Sequence, residues 1–284
     1  KKASLRTKLV KGLNMGLVRL FLAMTILVPL PALSHEFWIE PHQYQVESGN
    51  PLLADLKNGE NFKGISLGWF DRQFTRFNMH TSDKVLPVTG RMGDTPALQA
   101  TALQDGLLVV AHETTESTIT YREWEKFLRF VDHKDFRGAV ATHEANDWSK
   151  EEFREAYSRH AKALIAVGNG MGADRALGLE TEFVALTNPY AEGFDGVMQV
   201  QVNYQGAPRI DTQVEVFDRA PDGTVNVTLH RTDEVGQTQV QVTPGHTYLF
   251  DAVVLRPSAR AGTDDRAPVW ETLWAALTFA VPAR

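Results

Sequence analysis

The sequence predicts a mainly β protein, two antiparallel sandwiches joined by a helical connector. Three observations carry that expectation. Short runs of alternating apolar and polar residues recur over 35–130, between Gly, Pro and Asn punctuation. The same rhythm resumes from about Leu179. Between them lie two stretches whose apolar residues fall at helical spacing.

The elements follow in order. Residues 1–34 read as an upstream segment and a signal peptide. Lys1, Lys2, Arg6, Lys8, Lys11 and Arg19 form a basic region without an acid. Leu20 to Leu33 is apolar apart from Thr25, Pro29 and Pro31, too short to span a bilayer comfortably, which takes about 20 residues. Small residues at Ala32 and Ser34 predict cleavage after Ser34. Met15 begins a complete signal, "MGLVRLFLAMTILVPLPALS", so 1–14 read as upstream sequence. The expected mature protein starts at His35, has no membrane span and lies in the periplasm.

Removing the six leader bases from the chain's 29 leaves 23 against 35 acidic residues, a net of −12. Such an acidic body does not suit nucleic acid or anionic lipid as partners. There is no cysteine. The fold therefore needs no disulfide, and a thiolate metal site, a Cys nucleophile and a lipid anchor on Cys are excluded.

Residues 35–130 read as the N-terminal sandwich, with strands in "HEFWIEP", "YQVESG", "PLLADLKNG" and "LLVVAHETTESTITY". Residues 131–175 read as the helical connector. Just before and into it, "YREWEKFLRFVDHKDF" puts Trp124, Phe127, Leu128 and Val131 at helical spacing. In "NDWSKEEFREAYSRHAKALIAVGNG", Ser149 and Glu152 resemble a capping box. Phe153, Tyr157, Ala161 and Leu164 give an apolar stripe, and Gly168 a stop. A helix is predicted over 149–167, carrying His160. Residues 176–284 read as a C-terminal Ig-like sandwich, with "VTPGHTYLF" as strand, turn and strand. Trp270 and Trp274 fall on one side of its last strand.

"HEFWIEP" after the leader, "YSRHAKALIAVG", "LGLETEFVALTNPY", "VEVFDR", "RTDEVGQTQVQVTPGHTYLFDAV" and "ETLWAALTF" together resemble the DUF4198 family. Its members are periplasmic proteins often described as nickel- or cobalt-uptake (NikM-like) components. The likeness covers essentially the whole mature chain. It implies metal handling, with a membrane metal transporter as the partner.

The residues supply a chemistry for that role. A mature N-terminal His35 offers an α-amine, pKa about 8, and an imidazole Nδ1 that chelate one ion. A second imidazole completes three nitrogens, an arrangement suited to Cu(II) or Ni(II). His112, on a strand in "VVAHETT", and His80, beside Met79 in "FNMH", are the expected partners. None of the histidines lies in an H-x-x-x-H or H-E-x-x-H pattern, and no G-x-S-x-G elbow appears. The expectation is a periplasmic protein that binds nickel, cobalt or copper for uptake or trafficking, and not an enzyme. One alternative is a copper enzyme that oxidises a polysaccharide. The other is a metal-free Ig-like binding module.

Overall fold

The structure, a computed structural model, describes residues 35–283. The signal peptide expected over 1–34 lies outside the described residues. The rest is built around one strand, Phe153–Val167, near the middle of a ten-stranded sheet.

This strand is the segment expected as a helix. The i, i+4 spacing of Phe153, Tyr157 and Ala161 misleads because four is also a multiple of two, so all three share one face of a strand. Leu164 points to the other face. Burial on both sides removes the polar/apolar alternation that marks a half-exposed strand. The expected capping box is a turn instead. Glu151 N donates to Ser149 Oγ at 3.1 Å, and Glu152 takes a φ of 54°, in the left-handed region. His160 consequently sits on a strand, not on a helix.

Trp270–Ala280 runs parallel to this strand on one side. Gly106–Thr114 and Ser117–Tyr121 run antiparallel on the other. Beyond Trp270–Ala280 come Thr247–Pro257, Gln213–Arg219 and Val225–Arg231. Beyond Gly106–Thr114 comes Phe74–His80. The large sheet is thus mixed, not purely antiparallel. The parallel pair is reached by a connection of about a hundred residues, long enough for a crossover.

Two four-stranded sheets cover this one. Glu36–Pro41 and Pro51–Glu60 belong to the first, and Thr181–Ala185 and Val197–Tyr204 to the second. One face of the large sheet presents Phe77, Val110, Ala163 and Ile165 to Trp38, Ile39, Leu52 and Leu98. The opposite face presents Val109, Leu164, Val216 and Leu277 to Phe183, Met198 and Val200. The large sheet is therefore a middle layer with an apolar core on each side.

Helix α1, Trp124–His133, forms as the spacing predicts. A second short helix, α2, spans Ala139–Ala145. α1 closes the first face, where Phe127 stacks on Trp270 at 5.8 Å and Phe130 on Trp274 at 5.9 Å. Segments 35–130, 131–175 and 176–284 all place strands in the large sheet. Residues 35–283 lie within one compact unit. No helix among the described residues is long and apolar enough to cross a membrane.

A two-faced strand buries whatever polar side chains it carries, and Lys162 is fully buried. Its Nζ donates to Asp174 Oδ2 at 2.8 Å, to the Phe183 carbonyl at 2.9 Å and to the Arg175 carbonyl at 3.0 Å. Glu182 Oε2 lies 3.6 Å away. The lysine thereby ties the glycine-rich loop after Gly168 to the second small sheet. Lys162→Met keeps the aliphatic stem but leaves Asp174 buried and unpaired. It should cost about 3–5 kcal/mol in urea unfolding at neutral pH. A loss under about 1 kcal/mol, the range of surface pairs, would show that the loop does not depend on this cation.

Candidate functional site

On the first face, beside the start of Glu36–Pro41, lies a cavity of about 440 Å³. Its walls come from sequence-distant elements. His35 immediately precedes the first strand and Phe37 lies on it, Thr114 ends one strand and Ser117 begins the next, and Glu155, Tyr157 and Arg159 come from the central strand. Trp274 comes from the last strand. The pleat explains the set. Residues 155, 157 and 159 share one strand face, and the parallel register sets Arg159 beside Trp274.

Arg159 is the charged centre of this wall. Its guanidinium lies 4.3 Å from the Trp274 ring and 5.2 Å from the Tyr157 ring. Its backbone N donates to Thr114 Oγ1 at 3.0 Å. Burial pushes the guanidinium pKa down, though Asp251 opposes this. Lys134, at the end of α1, lies 4.8 Å from the same Trp274 ring. Its Nζ donates to Asp251 Oδ2 at 3.0 Å and pairs with Glu215 Oε1 at 2.9 Å. Burial raises Asp251, while Lys134 pulls it the other way.

Glu155 is held from two sides. Tyr121 Oη donates to its Oε2 at 3.0 Å, and Thr272 Oγ1 to its Oε1 at 2.5 Å. Trp274 Nε1 donates in turn to Thr272 Oγ1 at 3.1 Å. Burial outweighs these bonds and pushes the Glu155 carboxyl up to about 7. Glu36 is raised to about 8, by burial first and then by Asp251.

The expected metal ligands divide between the faces. His35 is exposed at the cavity. His112 is buried on the same face, caged by Phe77 at 4.9 Å, Phe37 at 5.2 Å and Phe74 at 5.4 Å. Neither of its ring nitrogens has a hydrogen-bond partner. Burial, with nearby His160, pushes its pKa down to about 3. Phe37 lines the cavity beside His35 and also packs on His112. His80 belongs elsewhere. Its ladder partner is Val109, in the second core, whereas the ladder partner of His112 is Phe77, in the first. The two rings therefore lie on opposite faces of one sheet, and the structure does not bring His80 to His35. His80 is buried, and its pKa falls through burial and the charge of Arg175. Among the described residues, no three His, Asp or Glu side chains are gathered so as to hold a metal ion.

Residues 32–256 match the profile of the domain of unknown function DUF4198. This chain belongs to the DUF4198 family. No curated protein matches it. Among solved structures, this DUF4198 protein is similar to a tetra-tandem repeat in the extending region of a large adhesion protein. The identity there is 10% and the TM-score 0.20, over 87% of this chain and 49% of that one. The chain thus spans about half of that structure. It is also similar to the D0–D1 domain of intimin, at 13% identity and a TM-score of 0.19, over 85% and 97%. A DUF3823 family protein from Bacteroides uniformis gives 10% identity and a TM-score of 0.19, over 87% and 100%. Likenesses this low carry no argument about fold or function.

Arg159, Glu155 and Lys134 escaped the sequence reading. A helix over 149–167 would scatter Glu155, Tyr157 and Arg159 around its circumference. The signal that could have found them is the alternation of those three against Trp270, Thr272 and Trp274.

Glu155 gives the DUF4198 site a measurable signature. A carboxyl raised from 4.5 to about 7 favours the fold while protonated. That contribution is complete below pH 4.5 and is lost as pH rises to about 7. Glu155→Gln does not titrate, so relative to wild type it should gain up to about 3 kcal/mol across that interval. Urea midpoints measured at successive pH values check this. A constant difference between the two proteins would mean that Glu155 ionises freely.

Proposed function

We propose that this DUF4198 protein binds a transition metal, copper or nickel, through His35 at the cavity, with His112 as the second imidazole. The observation that carries this reading is the state of His112. A buried imidazole holds a donor and an acceptor, and leaving such a group unsatisfied costs about 1–3 kcal/mol. Phenylalanine or leucine would fill an aromatic cage without that cost. An orphaned polar group of this kind calls for an explanation, and an ion is one of the few available. The depressed pKa keeps the ring neutral, the form that ligates a metal.

His35 adds a second reason. It is exposed beside a cavity, and cleavage after Ser34 would give it a free amine next to the ring. When bound, the metal would supply Lewis acidity or a redox couple. The residues themselves supply nitrogen donors and an apolar wall of Phe37, Phe74 and Phe77 that keeps water from His112. Export by the leader over 1–34 would place the protein in the periplasm, where it would serve uptake or trafficking, including of cobalt, and pass the ion to a membrane transporter.

A second reading is a metal-free Ig-like binding module that presents its loops to a partner. Oxidation of a polysaccharide is less favoured, because His35 borders a recess and not a flat face.

Calorimetric titration with Cu(II) and Ni(II) decides between them. Protein beginning at His35 should bind more tightly than protein beginning Met-His35, whose amide replaces the chelating amine. His112→Phe should weaken binding by more than about tenfold, since losing even an outer-shell partner of a ligand costs roughly 10–100-fold. His80→Ala should leave the affinity unchanged. If neither the amine nor His112 matters, the metal reading is wrong.

A further inference from the structure

We propose that the cavity at Arg159 binds a small organic carboxylate with a flat apolar or aromatic body. His35 borders the same cavity, but this inference does not rest on the metal reading, since its argument uses Arg159 and the recess beside it.

The first observation is a cation without a counter-ion. Arg159 forms no ion pair among the described residues, and its buried Nη1 has no hydrogen-bond partner. The acids around it are engaged elsewhere. Tyr121 and Thr272 hold Glu155, and Lys134 takes both Asp251 and Glu215. Glu36 Oε2 accepts from the Asn61 backbone N at 3.1 Å. A guanidinium has five donors in a fixed planar fork. Proteins place such a fork in a partly apolar recess where a planar anion is to be recognised.

The second observation is the shape and chemistry of the recess. About 440 Å³ lies within the range of small-molecule sites, roughly 300–1,000 Å³. The guanidinium packs against the rings of both Tyr157 and Trp274, which restricts the directions in which it can donate. Phe37, Leu67 and Ile119 make apolar wall, and Asn58, Gln73 and Ser117 offer neutral hydrogen-bonding groups. One cation lines the space. Lys134 lies near the same indole but is spent on its own two carboxylates. A single planar charge matches a monocarboxylate. A phosphate, with more charge and a tetrahedral shape, would ask for further donors.

The test uses benzoate as the probe, benzamide as its uncharged isostere and inorganic phosphate as the anion control. All are titrated in the presence of a chelator, so that no metal contributes. Binding is followed by ligand-observed NMR and by tryptophan fluorescence. Benzoate should bind saturably and about tenfold or more tighter than benzamide, the worth of a charged hydrogen-bonded pair. Arg159→Gln should abolish that preference. Where the variant of the partly buried Arg159 fails to fold, Ser117→Trp, at an exposed position of the wall, serves instead and should block benzoate by filling the recess. Equal affinity for benzoate and benzamide would overturn the proposal. So would absence of saturable binding, or phosphate that competes with benzoate on equal footing. Each of these results leaves the copper and nickel titrations untouched, so the two readings fail separately.

Discussion

The strand Phe153–Val167 has no solvent face, and that constraint organises the rest of the molecule. One side of it meets Trp38, Ile39 and Leu52, the other Phe183 and Val200. Its neighbours in the sheet must therefore also be apolar on two faces. Gly106–Thr114 and Trp270–Ala280 are, with buried residues along almost their whole length. Strands further out lose this property. Val225–Arg231, at one edge, is largely exposed, with Val227 and Leu229 facing water. The layering decays from the centre outward, as expected when the core is widest over the middle strand.

The same constraint explains why the buried charges occur where they do. A strand that carries Glu155, Arg159, His160 and Lys162 into a protein interior must find partners for each, because an unpaired buried charge costs several kcal/mol. Lys162 finds Asp174 and two carbonyls on the second face. Glu155 finds two hydroxyls on the first. His160 lies 3.7 Å from Glu113, and burial pushes its pKa down to about 4. Arg159 is the member of the series left with aromatic rings in place of an anion. It lies, with Glu155 and Tyr157, on the stretch of this strand that lines the cavity, so the unpaired charge and the space occur together.

The proposed metal site and the proposed carboxylate site share the first face yet differ in kind. The metal reading draws on nitrogen donors that ligate only when deprotonated, of which His112 is held neutral by burial. The carboxylate reading draws on a permanent charge and a recess that are already in place. If both hold, the cavity would seat an organic anion next to a metal-binding N-terminus. The aromatic wall formed by Phe37 would then border both ligands.

Much of this was legible along the chain. Strand rhythm on both sides of the middle, the turn residues between strands, helix α1 from Trp124 and Phe127, and the shared side of Trp270 and Trp274 follow from local spacing, because each reflects one element against one core. Membership of the DUF4198 family followed from local stretches such as "HEFWIEP" and "LGLETEFVALTNPY". The character of 149–167 did not follow. Its residues satisfy helical and strand periods alike, and only a second core on its far side makes the strand the better choice. The same holds for the histidines. His112 and His80 sit on adjacent strands and look equivalent in sequence, yet ladder register sends them to opposite faces, a fact that no spacing within either strand contains. The cavity at Arg159 is likewise a product of register, since it exists only where Glu155, Tyr157 and Arg159 are laid beside Thr272 and Trp274 from a strand more than a hundred residues away. Local pattern determined which segments pair and bury; tertiary packing decided which side each residue faces, because a strand's two faces are interchangeable until another layer covers one of them.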